Sequence, residues 1–330
     1  MFIGETIALF VALSWTVTAL FAEVASKRMG SLPLNVVRMV MSLSLLAVTL
    51  WLVMGVPWPR FADGDTWLWL LLSGVVGYVI GDYCLMQGYI YIGSRFGQLF
   101  MTLSAPTAAI MGRLLIGEQM RPLAVVGMCV TLFGIGLSIL ARRDGPARTG
   151  NVPHLKLGLP RRGVFYASVA GICQGCGLVL SKIGLEHYNA SILASGHALD
   201  AAPAEALVPL PLYISMPFAA TMIRASIGLV GFVALLLLFE RDGKAKLRHA
   251  VRDRKAMWCV LGATVFGPFV GVSMSLLATM YTSTGIAQTL FALTPILIIA
   301  PSVWLFHQRV TPRQIVGAVI SVAGVSLFFI

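Results

Sequence analysis

Ten runs of apolar residues, each about twenty long, succeed one another along the chain, parted by short stretches where Gly, Pro and charged residues gather. Their approximate limits are 3–22, 33–54, 67–86, 96–115, 122–140, 163–181, 217–239, 257–279, 284–305 and 312–330. A run of that length, wound at a rise of roughly 1.5 Å per residue, crosses the roughly 30 Å hydrocarbon core of a bilayer. The backbone must satisfy its own polar groups there, and a continuous apolar run does so as a helix. The pattern predicts an all-α polytopic membrane protein with ten transmembrane helices. Composition agrees: 58% of the 330 residues are hydrophobic, 11% are charged, and the mean hydropathy is +0.87. In a soluble domain about a quarter of the residues are charged. The first run opens with Glu5 rather than a basic segment, and no small-residue cleavage site follows it. It reads as a retained helix, not a signal peptide.

The runs fall into two similar sets. Gly77, Gly81, Gln98, Glu118, Pro122, Gly127, Thr131 and Gly134 recur 190 residues later as Gly267, Gly271, Gln288, Gln308, Pro312, Gly317, Ser321 and Gly324. Pro106 matches Pro295 with a slip of one residue. Earlier in each set, Ser26-Lys27 resembles Ser181-Lys182 and Arg38 resembles Arg224, at smaller offsets. The change of offset marks an insertion of about 30 residues, 187–215, rich in Ala and Pro and expected to be an extracytoplasmic loop. The division this predicts is a first repeat over 1–140, a basic connecting loop over 141–162, and a second repeat over 163–330. Five runs are an odd number, so the second repeat is threaded upside down relative to the first. Inverted repeats place a binding site near the bilayer midplane, where the halves meet.

The formal net charge of +11 does not point to nucleic acid, because the basic residues sit in short blocks between apolar runs. The loops after runs 1, 3, 5, 7 and 9 hold 18 Lys and Arg, counting Arg313 at the very start of the last run; the other four loops hold 3; Arg38, Arg113 and Arg224 lie inside runs. The positive-inside rule puts the basic set in the cytoplasm and both termini on the extracytoplasmic side.

Each set closes on a motif of the form P…(G)E…P…G…(A)G. The segment GDYCLMQGYIYIGSRFGQLFMTLSAPTAAIMGRLLIGEQM, from Gly81, and TSTGIAQTLFALTPILIIAPSVWLFHQRVTP in the second half carry it. In this the chain resembles the EamA-type transporters of the drug/metabolite transporter superfamily, over nearly its whole length apart from the insertion. The resemblance implies a ten-helix secondary carrier for small organic metabolites, often an exporter, in a bacterial inner membrane. Helices 1–4 and 6–9 would surround a central cavity, with helices 5 and 10 outside. Relatives that carry nucleotide sugars are drawn with both termini cytosolic, the opposite of the orientation the charge count gives. One departure is that the glutamate of the second motif is Gln308 here.

Ionisable groups inside a membrane are costly and usually pair or line water. Arg38 and Asp82 fall at similar depth on runs 2 and 3 and can be read either as a substrate anchor and coupling site or as a helix-joining ion pair. Arg224 repeats Arg38, but Asp82 is replaced by Val272, which leaves Arg224 to meet an anion, to pair with Glu186 or to snorkel to headgroups. Gln87, Gln98, Gln174 and Gln288, with Trp15, Tyr83, Tyr89 and Tyr281, are candidate cavity groups, since binding cavities are apolar with a few directed polar groups. Gln98 and Gln288, matched across the repeats, are the leading pair. If transport is coupled to a proton or another ion, Asp82, Glu5 and Glu118 are the carboxylates available, although Glu118 fits an interfacial loop or capping role better. Gly127, Thr131 and Gly134 on run 5, and Gly317, Ser321 and Gly324 on run 10, form small-residue stripes suited to helix packing.

The five cysteines, including the pair Cys173 and Cys176, lie in apolar runs without a second ligand pair and read as packing residues, so no metal is expected. A phosphate-binding loop of the form GxxxxGK[ST] is absent, as are HExxH and a serine–histidine arrangement, and no cofactor is expected. The alternatives to a carrier are a lipid-carrier flippase and, on weaker grounds, a membrane-embedded enzyme. Expected partners are a small-molecule substrate and membrane lipid, with the protein acting as a monomer or homodimer.

Overall fold

The computed structural model describes residues 2–140, 160–195, 210–240, 242–298, 301 and 312–327, and these contain helices and no strands. In chain order the helices are α1 (Ile3–Met29), α2 (Ser31–Met54), α3 (Gly64–Ser94), α4 (Phe96–Ile116), α5 (Pro122–Leu140), α6 (Arg161–Ala194), α7 (Leu210–Phe239), α8 (Gly243–Arg252), α9 (Arg254–Tyr281), α10 (Thr284–Leu297) and α11 (Pro312–Ser326). Among the described residues, seven of them (α1–α4, α6, α7 and α9) are long and apolar enough to cross a membrane. Shorter apolar helices cover Pro122–Leu137, Thr284–Leu297 and Ile315–Ser326.

The helices overrun the apolar runs that announce them. α1 continues past Ala22 to Met29, so Glu23, Lys27 and Arg28 stand on the helix and not in a loop. α6 continues to Ala194 and α7 begins at Leu210, so both flanks of the expected 187–215 loop are helical, while 196–209 lies outside the described residues. So do most of the expected connecting loop and Gln308. The basic stretch after α7 contains a further helix, α8, where a loop was expected.

Local chemistry sets the ends. Gly55 and Gly117 end α2 and α4 in the left-handed region, with φ of 73° and 65°. Asp63 caps α3 by accepting from the Thr66 N–H at 2.9 Å. Asp253 caps α9 by accepting from the N–H groups of Lys255 and Ala256, both at 3.1 Å.

The packing pairs helices across the two halves of the chain. α1 lies along α9 and α3 along α6; α2 meets α7, α4 meets α10, and α5 meets α11. The α5–α11 contact runs through the small-residue stripes. The Thr131 hydroxyl donates to the Ser321 carbonyl at 3.4 Å, and the Ser321 hydroxyl donates back to the Thr131 carbonyl at 3.2 Å. A Cβ at Gly134 would fall 2.7 Å from the Gly317 carbonyl oxygen, and one at Gly324 would fall 2.9 Å from that of Gly127. Such close backbone approach supplies the dispersion contact that lipid, itself apolar, does not drive.

Two irregularities recur at equivalent places in the halves. α3 widens into π-helix over Val75–Asp82, and α9 does so over Val265–Phe269, starting 190 residues later. α4 breaks into a turn at Thr102–Leu103 and α10 at Ala292–Leu293, each shortly before a proline, Pro106 or Pro295, which lacks an N–H for the regular ladder.

Candidate functional site

The two π segments face the same interior space. Residues of α1, α2, α3, α4, α6, α7, α9 and α10 line a central cavity enclosing about 690 Å³ of empty volume, including the part open to solvent. Neither α5 nor α11 contributes a described residue to its wall. The apolar part of the wall includes Trp15, Leu85, Met86, Met101 and Leu178. Trp15 is held by the Phe291 ring, 4.9 Å away between centroids.

Arg38 on α2 and Asp82 at the end of the α3 π segment form an ion pair inside the bundle, 3% and 6% exposed. The second Asp82 carboxylate oxygen accepts from the Gln174 Nε2 of α6 at 3.1 Å. Both carboxylate oxygens are therefore engaged, by residues of both halves. Arg224 on α7 is also buried, 4% exposed, with its guanidinium 5.0 Å over the Tyr78 ring. It makes no ion pair among the described residues; Glu186 is exposed on α6, and Arg224 points into the bundle and not to headgroups. Gly77 makes its place, because a Cβ there would fall 3.0 Å from the Arg224 Nη2. Three buried polar atoms around this space have no hydrogen-bond partner: the Nε of Arg38, the Nε of Arg224 and the Tyr78 hydroxyl.

The glutamines matched across the repeats both line the cavity, in different company. Gln98 donates to the Tyr89 hydroxyl at 2.5 Å. Gln288 accepts from the Ser104 hydroxyl at 3.0 Å and donates to the Gln174 carbonyl at 3.4 Å, tying α10 to α4 and α6. Of the remaining candidates, Trp15 and Gln174 line the cavity, but Tyr83 and Gln87 do not. Gln87 donates to the Ser31 hydroxyl at 3.0 Å and to the Tyr83 hydroxyl at 3.4 Å, and Tyr83 meets Tyr166 edge-on at 6.3 Å. Asp82, Leu85, Met86 and Tyr89 follow one another at regular helical spacing on the cavity face, so Tyr83 and Gln87 fall on the neighbouring faces, toward α6 and α2. Glu5 is also away from the cavity: it accepts from the Thr282 hydroxyl at 2.9 Å, at the α9–α10 junction. Tyr281 stacks edge-on against Tyr213 at 6.1 Å, also outside the wall.

Glu118 is more than a loop residue. It pairs with Lys182 at 2.5 Å and accepts from the Thr284 backbone N–H at 3.0 Å and its hydroxyl at 2.6 Å, so it caps α10 from the other half of the chain. Tyr78, Pro268 and Ser275 are cavity residues that the sequence reading did not single out. Tyr78 sits one helical turn before Asp82, and that spacing was the available signal. Among the described residues, no group of His, Cys, Asp and Glu is arranged to hold a metal ion.

A helical bundle of membrane-crossing segments around a buried, partly charged cavity defines an integral membrane protein of the transporter type. The chain belongs to the EamA-like transporter family, whose model matches residues 2–140 and 212–330; that family is part of the drug/metabolite transporter superfamily. No match is found among curated proteins. A crystal structure described only as that of a protein shares the fold, with a TM-score of 0.65 at 16% identity over 98% of this chain and 96% of that one.

Proposed function

We propose that this chain is a secondary active carrier of a small organic metabolite, built as ten transmembrane helices in two inverted five-helix repeats that alternate access to the central cavity. The observation that supports it most is the composition of the cavity wall. Eight helices from both halves contribute, and each half offers an arginine, a glutamine and a π segment at matching positions. A wall shared in this way changes its exposure when one half rocks against the other, which is what a carrier of inverted repeats requires. The exchange α1↔α6, α2↔α7, α3↔α9, α4↔α10 and α5↔α11 maps the set of cross-half pairings onto itself, as a two-fold axis in the membrane plane would. We place the Arg28 end of α1 in the cytoplasm, following the charge bias, and the protein in a bacterial inner membrane, with export as its direction.

The test is counterflow in proteoliposomes containing the purified chain, with a panel of amino acids, organic acids, sugars, nucleosides and cationic drugs. At least one class is expected to drive labelled uptake, and Gln288→Ala is expected to reduce that uptake about tenfold by removing a directed hydrogen bond and unbracing α10. Absence of counterflow for every class, with the protein verified as folded, would sink the carrier reading.

A further inference from the structure

The charges on the cavity wall do not cancel. Arg38 and Asp82 neutralise one another, and Asp82 spends its remaining oxygen on Gln174. Arg224 is left with its ring partner and no carboxylate among the described residues, and its Nε has no hydrogen-bond partner. The repeat explains how this arises. Arg224 repeats Arg38, but the position equivalent to Asp82 is Val272, which also lines the cavity. The second half has the cation and lacks the acid. An unpaired cation inside a membrane protein costs several kcal/mol, and such residues mark a ligand or ion path unless something neutralises them. Here Asp82 is near enough to attract Arg224 but is already balanced by Arg38, and no carboxylate of the described chain pairs with Arg224, while the place for the guanidinium is kept by Gly77.

Resting on the carrier reading above, we propose that the substrate is a small organic acid with a single carboxylate, seated on Arg224, its apolar body against Trp15, Met86 and Leu178. A guanidinium presents a planar fork that matches a carboxylate. One negative charge balances the wall, whereas a phosphate ester would overshoot it and an amine would meet Arg224 without a free acid to accept it. The orphaned Tyr78 hydroxyl, on the ring under Arg224, supplies a further donor at the same spot.

The test uses the purified full chain in detergent and measures ligand-induced shifts in melting temperature. The probes are acetate, hexanoate, phenylacetate and indole-3-acetate, each beside its own amide, with phenethylamine as the cationic control. At least one acid is expected to bind about tenfold or more tightly than its amide, and phenethylamine not at all. Val272→Asp supplies Arg224 with the acid that the repeat lacks; it is expected to fold with an equal or higher melting temperature and to lose the acid preference. Arg224→Gln is expected to lose the preference as well. The proposal is overturned if no acid binds better than its amide, if the amine binds best, or if folded Val272→Asp keeps the preference. Counterflow separates this from the carrier reading. Amides exchanged as fast as acids would leave a carrier without an anion site; acid-selective binding with no exchange would leave the anion site and remove the carrier.

Discussion

The two ends of the bundle meet the same demand with different carboxylates. At the end where α10 begins, Thr284 gives its N–H and hydroxyl to Glu118, which also holds Lys182. At the other end Ser94, the residue equivalent to Thr284, gives its N–H at 2.9 Å and its hydroxyl to Glu23, which holds Lys27 at 2.5 Å. Lys27 and Lys182 are themselves repeat equivalents. The source of the acid differs. Glu118 comes from the opposite half of the chain, so its cluster bridges the halves, and Lys182 and Glu118 are only 19% and 13% exposed. Glu23 comes from α1 itself, four residues before Lys27, and its cluster stays within the first half. Among the described residues, the ion pair that bridges the halves at that end is the more exposed one of Arg28 with Asp253, 2.7 Å apart. The position that would match Glu118 is Gln308, which cannot carry the charge. One end is therefore fastened across the halves by a shielded ion pair, the other by an exposed one.

Glu118→Ala tests the shielded end and is expected to have the largest effect. It strands Lys182 and the first N–H of α10, at a cost on the order of 2–3 kcal/mol, less than a fully buried pair because some water reaches both groups. The melting temperature in detergent should fall clearly, and Glu118→Gln, which can still accept from Thr284, should fall less. Glu23→Ala is expected to cost less, about 1–2 kcal/mol: it too strands the N–H and hydroxyl of Ser94, but Lys27 is half exposed and keeps its hydration. A loss as large as that of Glu118→Ala would erase the distinction between the ends. Adding Gln308→Glu to Glu23→Ala sharpens it: the repeat register predicts that a carboxylate at 308 restores most of the lost stability, and no recovery would mean that the two clusters are not equivalents. The smallest effect is expected at Asp253. The N–H of Ala256, together with the Arg28 guanidinium, holds its carboxyl below the usual range. A depressed folded pKa gives stability that is present at neutral pH and lost as the pH falls through that folded value. The melting-temperature difference between the parent and Asp253→Asn should therefore be greatest near pH 7 and close as the solution is acidified past the ordinary carboxylate range; a difference that widens in acid would contradict this.

The centres of the helices were legible in the sequence and their ends were not, for a physical reason. Hydropathy marks how much of a helix touches hydrocarbon, not where its hydrogen bonds stop. Glu23, Lys27 and Lys182 end an apolar run but sit in regular helix, because ion pairs let the backbone continue into the polar region. α8 was hidden in the same way, its basic residues reading as loop. Within the cavity, Arg38, Asp82 and Arg224 were conspicuous because charge is rare in such runs, and Gln98 and Gln288 because they repeat. Tyr78 had only its four-residue spacing to Asp82 to set it apart from many aromatics. Tyr83 and Gln87 stood out by residue type and not by face: regular spacing from Asp82 puts Leu85, Met86 and Tyr89 on the wall and turns those two aside.

The π segment of α3 has a mechanical consequence. A stretch of π-helix holds one residue more than an α-helix of the same span, a surplus the chain can pass along by trading each carbonyl for its neighbour. Moving it beyond Asp82 would turn the following residues about the helix axis by roughly 100° with few backbone hydrogen bonds lost at any instant. α3 and α9 each hold this slack where they border the cavity, so either wall has a way to rotate its side chains while its two ends stay fixed.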